Sequence, residues 1–247
     1  AGVAIATVIA QGTAAVISFL LLMHRLNGFE TEEAVPKYDV GILKSMVKIA
    51  LPSILQQSIV SIGLLLVQSV VNGFGSSVLA GYAASTRIES ICIVPMISTG
   101  NAMSTFTAQN MGAGKIDRVK EGYRMCYVIV LTAGTVLCVM YQLAGGAFVS
   151  LFLDSGSSEA YSVGLSYVKF LSFFYSFIGL KASTDGLLRG AGDVTAFTVA
   201  NLVNLAIRVS VTNLFAPIYG IQVAWMAVPL GWAANYVISF GWYLTGK

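Results

Sequence analysis

The sequence has few charged residues and few of the residue types that form most enzyme sites. Only 10% of its 247 residues are charged, whereas soluble domains carry about 25%. Its one histidine, His24, has no histidine partner. This excludes a multi-histidine metal site and argues against a catalytic triad. The three cysteines show no CxxC spacing, which argues against zinc and against a disulfide framework. We therefore expect no catalytic residues, no metal and no bound cofactor.

The charge balance also argues against a nucleic-acid partner. The formal net charge is +3, and no basic run is long enough to follow a phosphate backbone. Lysine and arginine instead lie in the connections at His24–Leu43, at Lys115–Arg124, near Arg189 and at the tail, and are missing from those near Gly75, residues 154–157 and residues 217–220. Because basic residues mark the cytoplasmic side of a membrane, we expect a cytoplasmic C-terminus.

What the sequence does contain is long apolar runs. Hydrophobic residues make up 56% of the chain, and the mean hydropathy is +0.79. A membrane helix needs roughly 20 apolar residues, and lipid leaves helices as the spanning structure when a barrel pattern is missing. We therefore predict an all-α, multi-pass protein of the cytoplasmic membrane with seven apolar segments: Gly2–Met23, Lys44–Phe74, Ser77–Asn110, Val119–Phe152, Ser158–Leu188, Thr195–Pro217 and Gly220–Leu244.

The start of the chain predicts that more protein precedes it. Residue 1 is alanine inside an apolar stretch, without the basic flank and cleavage site of a signal peptide. The one clearly aqueous segment, FETEEAVPKYDVG, follows the first apolar stretch and is typical of a linker between two bundles.

Polar residues inside the apolar segments are the candidate functional residues, because polar groups at membrane depth are costly. In the second segment Gln57, Ser61, Gln68 and Asn72 share one helical stripe. This stripe fits the wall of a wet cavity, or equally a set of interhelical hydrogen bonds. In the sixth segment Asn204 and Arg208 share a face with Asn201 and Thr212, and Arg208 fits either substrate passage or a buried ion pair.

Only two acids, Glu89 and Asp185, lie away from the ends of the segments, and both are off-centre. Glu89 follows Arg87 in the third segment and fits an interfacial position or a contact with a neighbouring helix. Asp185 lies four residues after Lys181, a spacing that favours a salt bridge and a structural latch over a proton relay. Both are weak candidates for ion coupling.

Several stretches resemble the multidrug and toxic compound extrusion (MATE) family. They are LPSILQQS, LAGYAASTRIES, TGNAMSTFTAQNMGAGKIDRVKEGYR, LLRGAGDVTAF and the terminal GIQVAWMAVPLGW. The resemblance implies two six-helix lobes, of which this chain would carry the second. Residues 1–23 would then be the last helix of a missing N-terminal lobe, residues 24–43 a cytoplasmic inter-lobe loop, and residues 44–247 the C-terminal lobe.

The resemblance also implies a function. Such a protein would be a secondary antiporter that exports amphipathic, often cationic, small molecules in exchange for Na⁺ or H⁺ by alternating access. The stretches where some members carry a cation-binding acid, Ser58–Gly63 and Tyr175–Gly179, are uncharged here. This difference favours a main coupling acid outside this sequence, while Tyr175 would keep the position of a cavity tyrosine.

Two other functions stay open at this point. A lipid-linked oligosaccharide flippase of the same superfamily would share the topology but should have a more cationic cavity than a single central Arg208 provides. A seven-helix receptor would match the helix count, but its third segment should end in a coupling motif, and it ends in QNMGAGK.

Overall fold

The computed structural model describes residues 2–26, 28, 39–154 and 158–245, and these residues form helices joined by short turns, with no strand among them. The all-α prediction is confirmed. Within the described part of the chain eight helices follow in order: α1 Gly2–Leu26, α2 Val40–Asn72, α3 Ser76–Gly112, α4 Ile116–Ser150, α5 Ser158–Ser172, α6 Tyr175–Gly190, α7 Val194–Tyr219 and α8 Gln222–Thr245.

The chain divides into two compact units, Ala1–Leu51 and Pro52–Lys247. In the first unit the described side chains of α1 are exposed along the whole helix. The second unit holds the core. Most of the predicted inter-lobe loop at residues 24–43 lies outside the described residues, so the predicted domain bounds stay a prediction.

Several helices are long and apolar enough to cross a membrane. Among the described residues α1, α4, α7 and α8 meet this test, and the bent pair α5–α6 would make a fifth span. The last part of α2, Gln57–Asn72, is a shorter apolar helix. Helix α3 is longer than these helices but more polar. It packs against α4, α5 and α6, and polar side chains such as Ser85 and Thr107 are buried there. These helices support a multi-pass membrane protein.

The predicted fifth segment, Ser158–Leu188, consists of two helices, α5 and α6, which meet at an angle of 53° and together are long and apolar enough to span. Neither proline nor glycine occurs at the break, so no local residue pattern predicts it. Side chains replace the lost helical hydrogen bonds. Ser172 Oγ donates to the carbonyl of Lys169 at 2.7 Å, and Gln142 Nε2 of α4 donates to the same carbonyl at 2.8 Å and to Ser172 Oγ at 2.9 Å. A broken membrane helix needs such partners inside the protein.

Helices α3 and α6 approach so closely that glycine is required between them. A Cβ atom built on Gly186 would lie 2.1 Å from the carbonyl oxygen of Gly100, and one on Gly100 would lie 2.4 Å from the carbonyl oxygen of Ala182. Small residues four apart on α6 (Ala182, Gly186, Gly190) form the close face, the usual way in which membrane helices pack without a hydrophobic driving force. This seam positions α6, which carries the Lys181–Asp185 pair.

Candidate functional site

The four polar residues predicted to line a cavity lie at the surface of the second unit. Gln57, Ser61 and Asn72 are exposed, and Gln68 is half-buried and donates from Nε2 to Asn72 Oδ1 at 3.0 Å. We call these four residues the polar face of α2. The buried side of the helix consists of Gly63, Val67 and Val71. A surface position is compatible with a cavity wall, and the cavity role itself stays a prediction.

A carboxylate is held among aromatic rings in the first half of α3. Tyr167 of α5 donates its hydroxyl to Glu89 Oε2 at 2.5 Å. The ring of Tyr167 meets those of Tyr82 and Trp225 edge-on, each at a centroid distance of 5.6 Å. Tyr167, Tyr82 and Trp225 are buried, and Glu89 is partly buried. We call these four residues the Glu89 cluster.

Arg208 of α7 lies beside the Glu89 cluster. Its charge acts on Glu89, Tyr82 and Tyr167, but no nitrogen of Arg208 comes within 4.0 Å of a carboxylate oxygen among the described residues. Helix α8 leaves room for its side chain at Gly231, where a Cβ atom would lie 3.0 Å from Arg208 Cγ and 2.2 Å from Asn204 Oδ1. Arg208 therefore shares a region with Glu89 without forming a contact ion pair.

A second polar centre joins α6, α7 and α8. Lys181 Nζ lies 2.8 Å from Asp185 Oδ2, which confirms the predicted pairing, and donates to Asn201 Oδ1 at 3.0 Å. Asn201 Nδ2 donates to Asp185 Oδ2 at 3.2 Å, and Ser239 Oγ to Asp185 Oδ1 at 3.0 Å. We call these four residues the Asp185 network. Asp185 is 3% exposed, so its charge is satisfied within the protein. Such a network suits a structural link.

Two other predicted residues lie inside the fold. Tyr175 is fully buried beside Tyr141, with ring centroids 6.0 Å apart, and in this conformation it belongs to the core and not to an open surface. The buried Oδ1 atom of Asn204 has no hydrogen-bond partner among the described residues. Their cavity roles stay predictions.

Sequence reasoning missed the partners of the charged residues. Tyr167 contacts Glu89 across 78 positions of the chain, and a lone tyrosine in an apolar run gives no signal of that contact. Ser239 and Trp225 were missed for the same reason. Among the described residues no group of three or more metal-ligating side chains comes together.

The fold and the two charged centres define a class of protein, a multi-pass helical membrane protein with ionisable groups held between its helices. The family model MatE matches residues 52–214. The chain therefore belongs to the MatE family, a family of transporters.

Similar proteins agree with this assignment. The chain is 29% identical over 249 residues to "Probable multidrug resistance protein YpnP" of Bacillus subtilis (strain 168), covering 100% of this chain and 55% of that protein. It is 26% identical over 157 residues to "FAD transporter" of Shewanella oneidensis, covering 61% of this chain and 33% of that protein. The chain spans about half the length of the YpnP relative.

Solved structures show the same fold. One is described as the outward-facing conformation of a multidrug resistance MATE family transporter of the MOP superfamily. It matches with a TM-score of 0.72 and 20% identity, covering 81% of this chain and 44% of that one. At this identity the likeness shows the arrangement of one lobe and not its substrate.

Proposed function

We propose that this chain forms the second lobe of a secondary antiporter. The intact protein would export amphipathic, often cationic, small molecules in exchange for Na⁺ or H⁺, by alternating access against a first lobe. Family membership, and the match of the whole chain to about half of a probable multidrug resistance protein, support this proposal. The polar face of α2 would line the space between the lobes, with lipid around the remaining helix surfaces.

The observation that carries ion coupling is the contrast between Glu89 and Asp185. The charge of Asp185 is compensated at 2.8 Å by Lys181 and by two further hydrogen-bond donors. Among the described residues Glu89 accepts one such hydrogen bond, from the neutral Tyr167 hydroxyl. A carboxylate in a membrane helix without a contact counter-ion is suited to exchange a cation. We therefore propose that Glu89 contributes to coupling, beside any acid of the first lobe.

Transport of a cationic dye tests both parts of this proposal. The full-length protein would be reconstituted in vesicles loaded with rhodamine 6G, and sodium and pH gradients would be imposed separately. We expect gradient-driven efflux by the wild type and the loss of most of that efflux in the Glu89→Gln variant, because glutamine carries no charge to exchange for the driving cation. Glu159→Gln is the matched control, because Glu159 is exposed at the start of α5.

Two results would contradict the proposal in different ways. A well-inserted protein that moves no dye under either gradient would reject the antiporter. Normal gradient-driven efflux by Glu89→Gln would reject the coupling role of Glu89 alone. A flippase of the same superfamily would move an oligosaccharide lipid and not the dye, so the same vesicles separate that alternative.

A further inference from the structure

A groove lies between the bent pair α5–α6 and helix α8, within the second unit. It consists of two cavities of about 210 and 280 Å³, which share Phe170 and Met226 as lining residues. Together they have the size of a small-molecule site, about 300–1,000 Å³. On α5 and α6 the lining residues are Ser166, Phe170, Phe174 and Phe177. On α8 they are Gln222, Trp225, Met226, Pro229, Leu230 and Ala233. We call these residues the α5–α8 groove.

The break between α5 and α6 forms an aromatic wall of this groove. Phe174 lies at the break, with its ring centroid 5.2 Å from that of Phe170 and 6.3 Å from that of Phe177. The three rings therefore continue the wall from one helix to the next across the bend. Ser166, four residues before Phe170 on the same face of α5, makes one end of the wall polar.

Helix α8 gives the groove the same polarity and a defined length. Gln222 is exposed at the first position of α8, and Met226 and Leu230 follow it at a spacing of four on the same face. From Gln222 to Ala233 the helix rises about 16 Å, at 1.5 Å per residue. Half of the hydrocarbon core of a bilayer is about 15 Å. The groove thus runs from a polar end at the start of a spanning helix over the depth of one leaflet.

The groove is continuous with an apolar outer surface of the second unit. Leu230 within the groove is 53% exposed, and Phe173 beside it and Val237 one turn beyond Ala233 are 62% and 67% exposed. Lipid tails are as apolar as such side chains, so this surface fits the hydrocarbon of the membrane. A molecule that enters the groove from this surface comes through the bilayer, with its polar end at the membrane boundary.

We propose that the α5–α8 groove binds one phospholipid of the leaflet at which α5 and α8 begin. One acyl chain lies against the three phenylalanine rings, Pro229 and Leu230. The ester and phosphate oxygens accept hydrogen bonds from the Gln222 amide and the Ser166 hydroxyl. None of the described lining residues is charged, so the site distinguishes lipids by their chains and not by headgroup charge. The inference needs a membrane position of the lobe and does not depend on transport.

Tryptophan quenching by a brominated lipid tests the site. Full-length protein that keeps Trp225 as its one tryptophan would be purified in dodecyl maltoside and titrated with phosphatidylcholine brominated on one acyl chain. Trp225 lines the groove and is 5% exposed, whereas Trp232 is equally buried, at 4%, and is not among the lining residues. We expect the Trp225 fluorescence to fall by about half with saturation at one lipid. A matched protein that keeps only Trp232 should stay unquenched, because a buried indole meets bromine only where a lipid enters the protein.

Four variants locate the lipid within the groove. Ala233→Phe fills the apolar end and should raise the dissociation constant of the brominated lipid at least tenfold. Val237→Phe adds the same ring to the exposed surface of α8 outside the groove and should leave that constant unchanged. Gln222→Leu and Ser166→Ala should each raise it about twofold to tenfold, as expected for one lost hydrogen bond. Unbrominated phosphatidylglycerol and phosphatidylcholine should compete equally well.

Three results would overturn this site. They are equal quenching of Trp225 and Trp232, binding that Ala233→Phe leaves unchanged, and relief of quenching by the cationic amphipath tetraphenylphosphonium but not by unbrominated lipid, which would assign the groove to a substrate. Native mass spectrometry of the protein with all its tryptophans is independent of the reporter variants. It should show one phospholipid retained by the wild type and by Val237→Phe and lost in Ala233→Phe, and equal retention would contradict the site. Lipid binding without dye efflux would reject the antiporter and keep the lipid site.

Discussion

Replacing Asp185 with alanine is expected to destabilise the second unit by about 3–5 kcal/mol, the usual cost of leaving one partner of a buried ion pair without the other. Among the described residues, the variant would leave the Lys181 ammonium with only the side-chain Oδ1 of Asn201 as an acceptor, and would remove the acceptor of Ser239. Equilibrium unfolding of the purified protein in an SDS titration measures the change.

The control for this effect is Asp117→Ala, since Asp117 is exposed in the first turn of α4 and should contribute at most about 1 kcal/mol through the helix dipole. The double variant Lys181→Met/Asp185→Leu should recover most of the loss, because well-packed apolar side chains often replace a buried pair without cost. An Asp185→Ala protein as stable as the wild type would show that the Asp185 network does not hold α6, α7 and α8 together.

The second large effect is expected at Gly186. A valine there places a Cβ atom 2.1 Å from the carbonyl oxygen of Gly100, and backbone atoms cannot move aside as a flexible side chain can. Overpacking of a core costs about 1–3 kcal/mol and occasionally more, and we expect Gly186→Val at the upper end, about 3 kcal/mol. The same unfolding titration measures it.

Gly241→Val is the matched control, because Gly241 is also helical and has no atom within 4 Å of an added Cβ. The control should be neutral or slightly stabilising, since glycine is the weaker helix former of the two. Equal stability of the two variants would mean that α3 and α6 do not pack as closely as described.

Local patterns predicted the residues that depend on one helix. The spacing of Lys181 and Asp185 predicted their salt bridge, and the common face of Asn201, Asn204 and Arg208 places all three toward neighbouring helices. The sequence motifs also predicted the family. Periodicity is sufficient for these features because each arises within a single helix or a single motif.

Features that depend on contacts between distant helices could not be predicted in this way. The Tyr167–Glu89 hydrogen bond joins α5 to α3, and Trp225 reaches the same region from α8. The break between α5 and α6 is stabilised by Gln142 from α4, about thirty residues earlier, with no proline or glycine to mark it. Tyr175, expected from the resemblance in a cavity, packs into the core immediately after that break.

The most direct test of a lobe that needs a partner is water access to the polar face of α2 in the membrane. In a full-length protein whose native cysteines have been replaced, Ser61→Cys and Gln68→Cys would each be treated with a water-soluble maleimide. Leu66→Cys is the control, on the side of α2 opposite the polar face and 47% exposed. Labelling of positions 61 and 68 but not 66 is expected if the polar face lines an aqueous space between two lobes. Unreactive cysteines at 61 and 68, with an exposed Lys115→Cys still labelled, would contradict it.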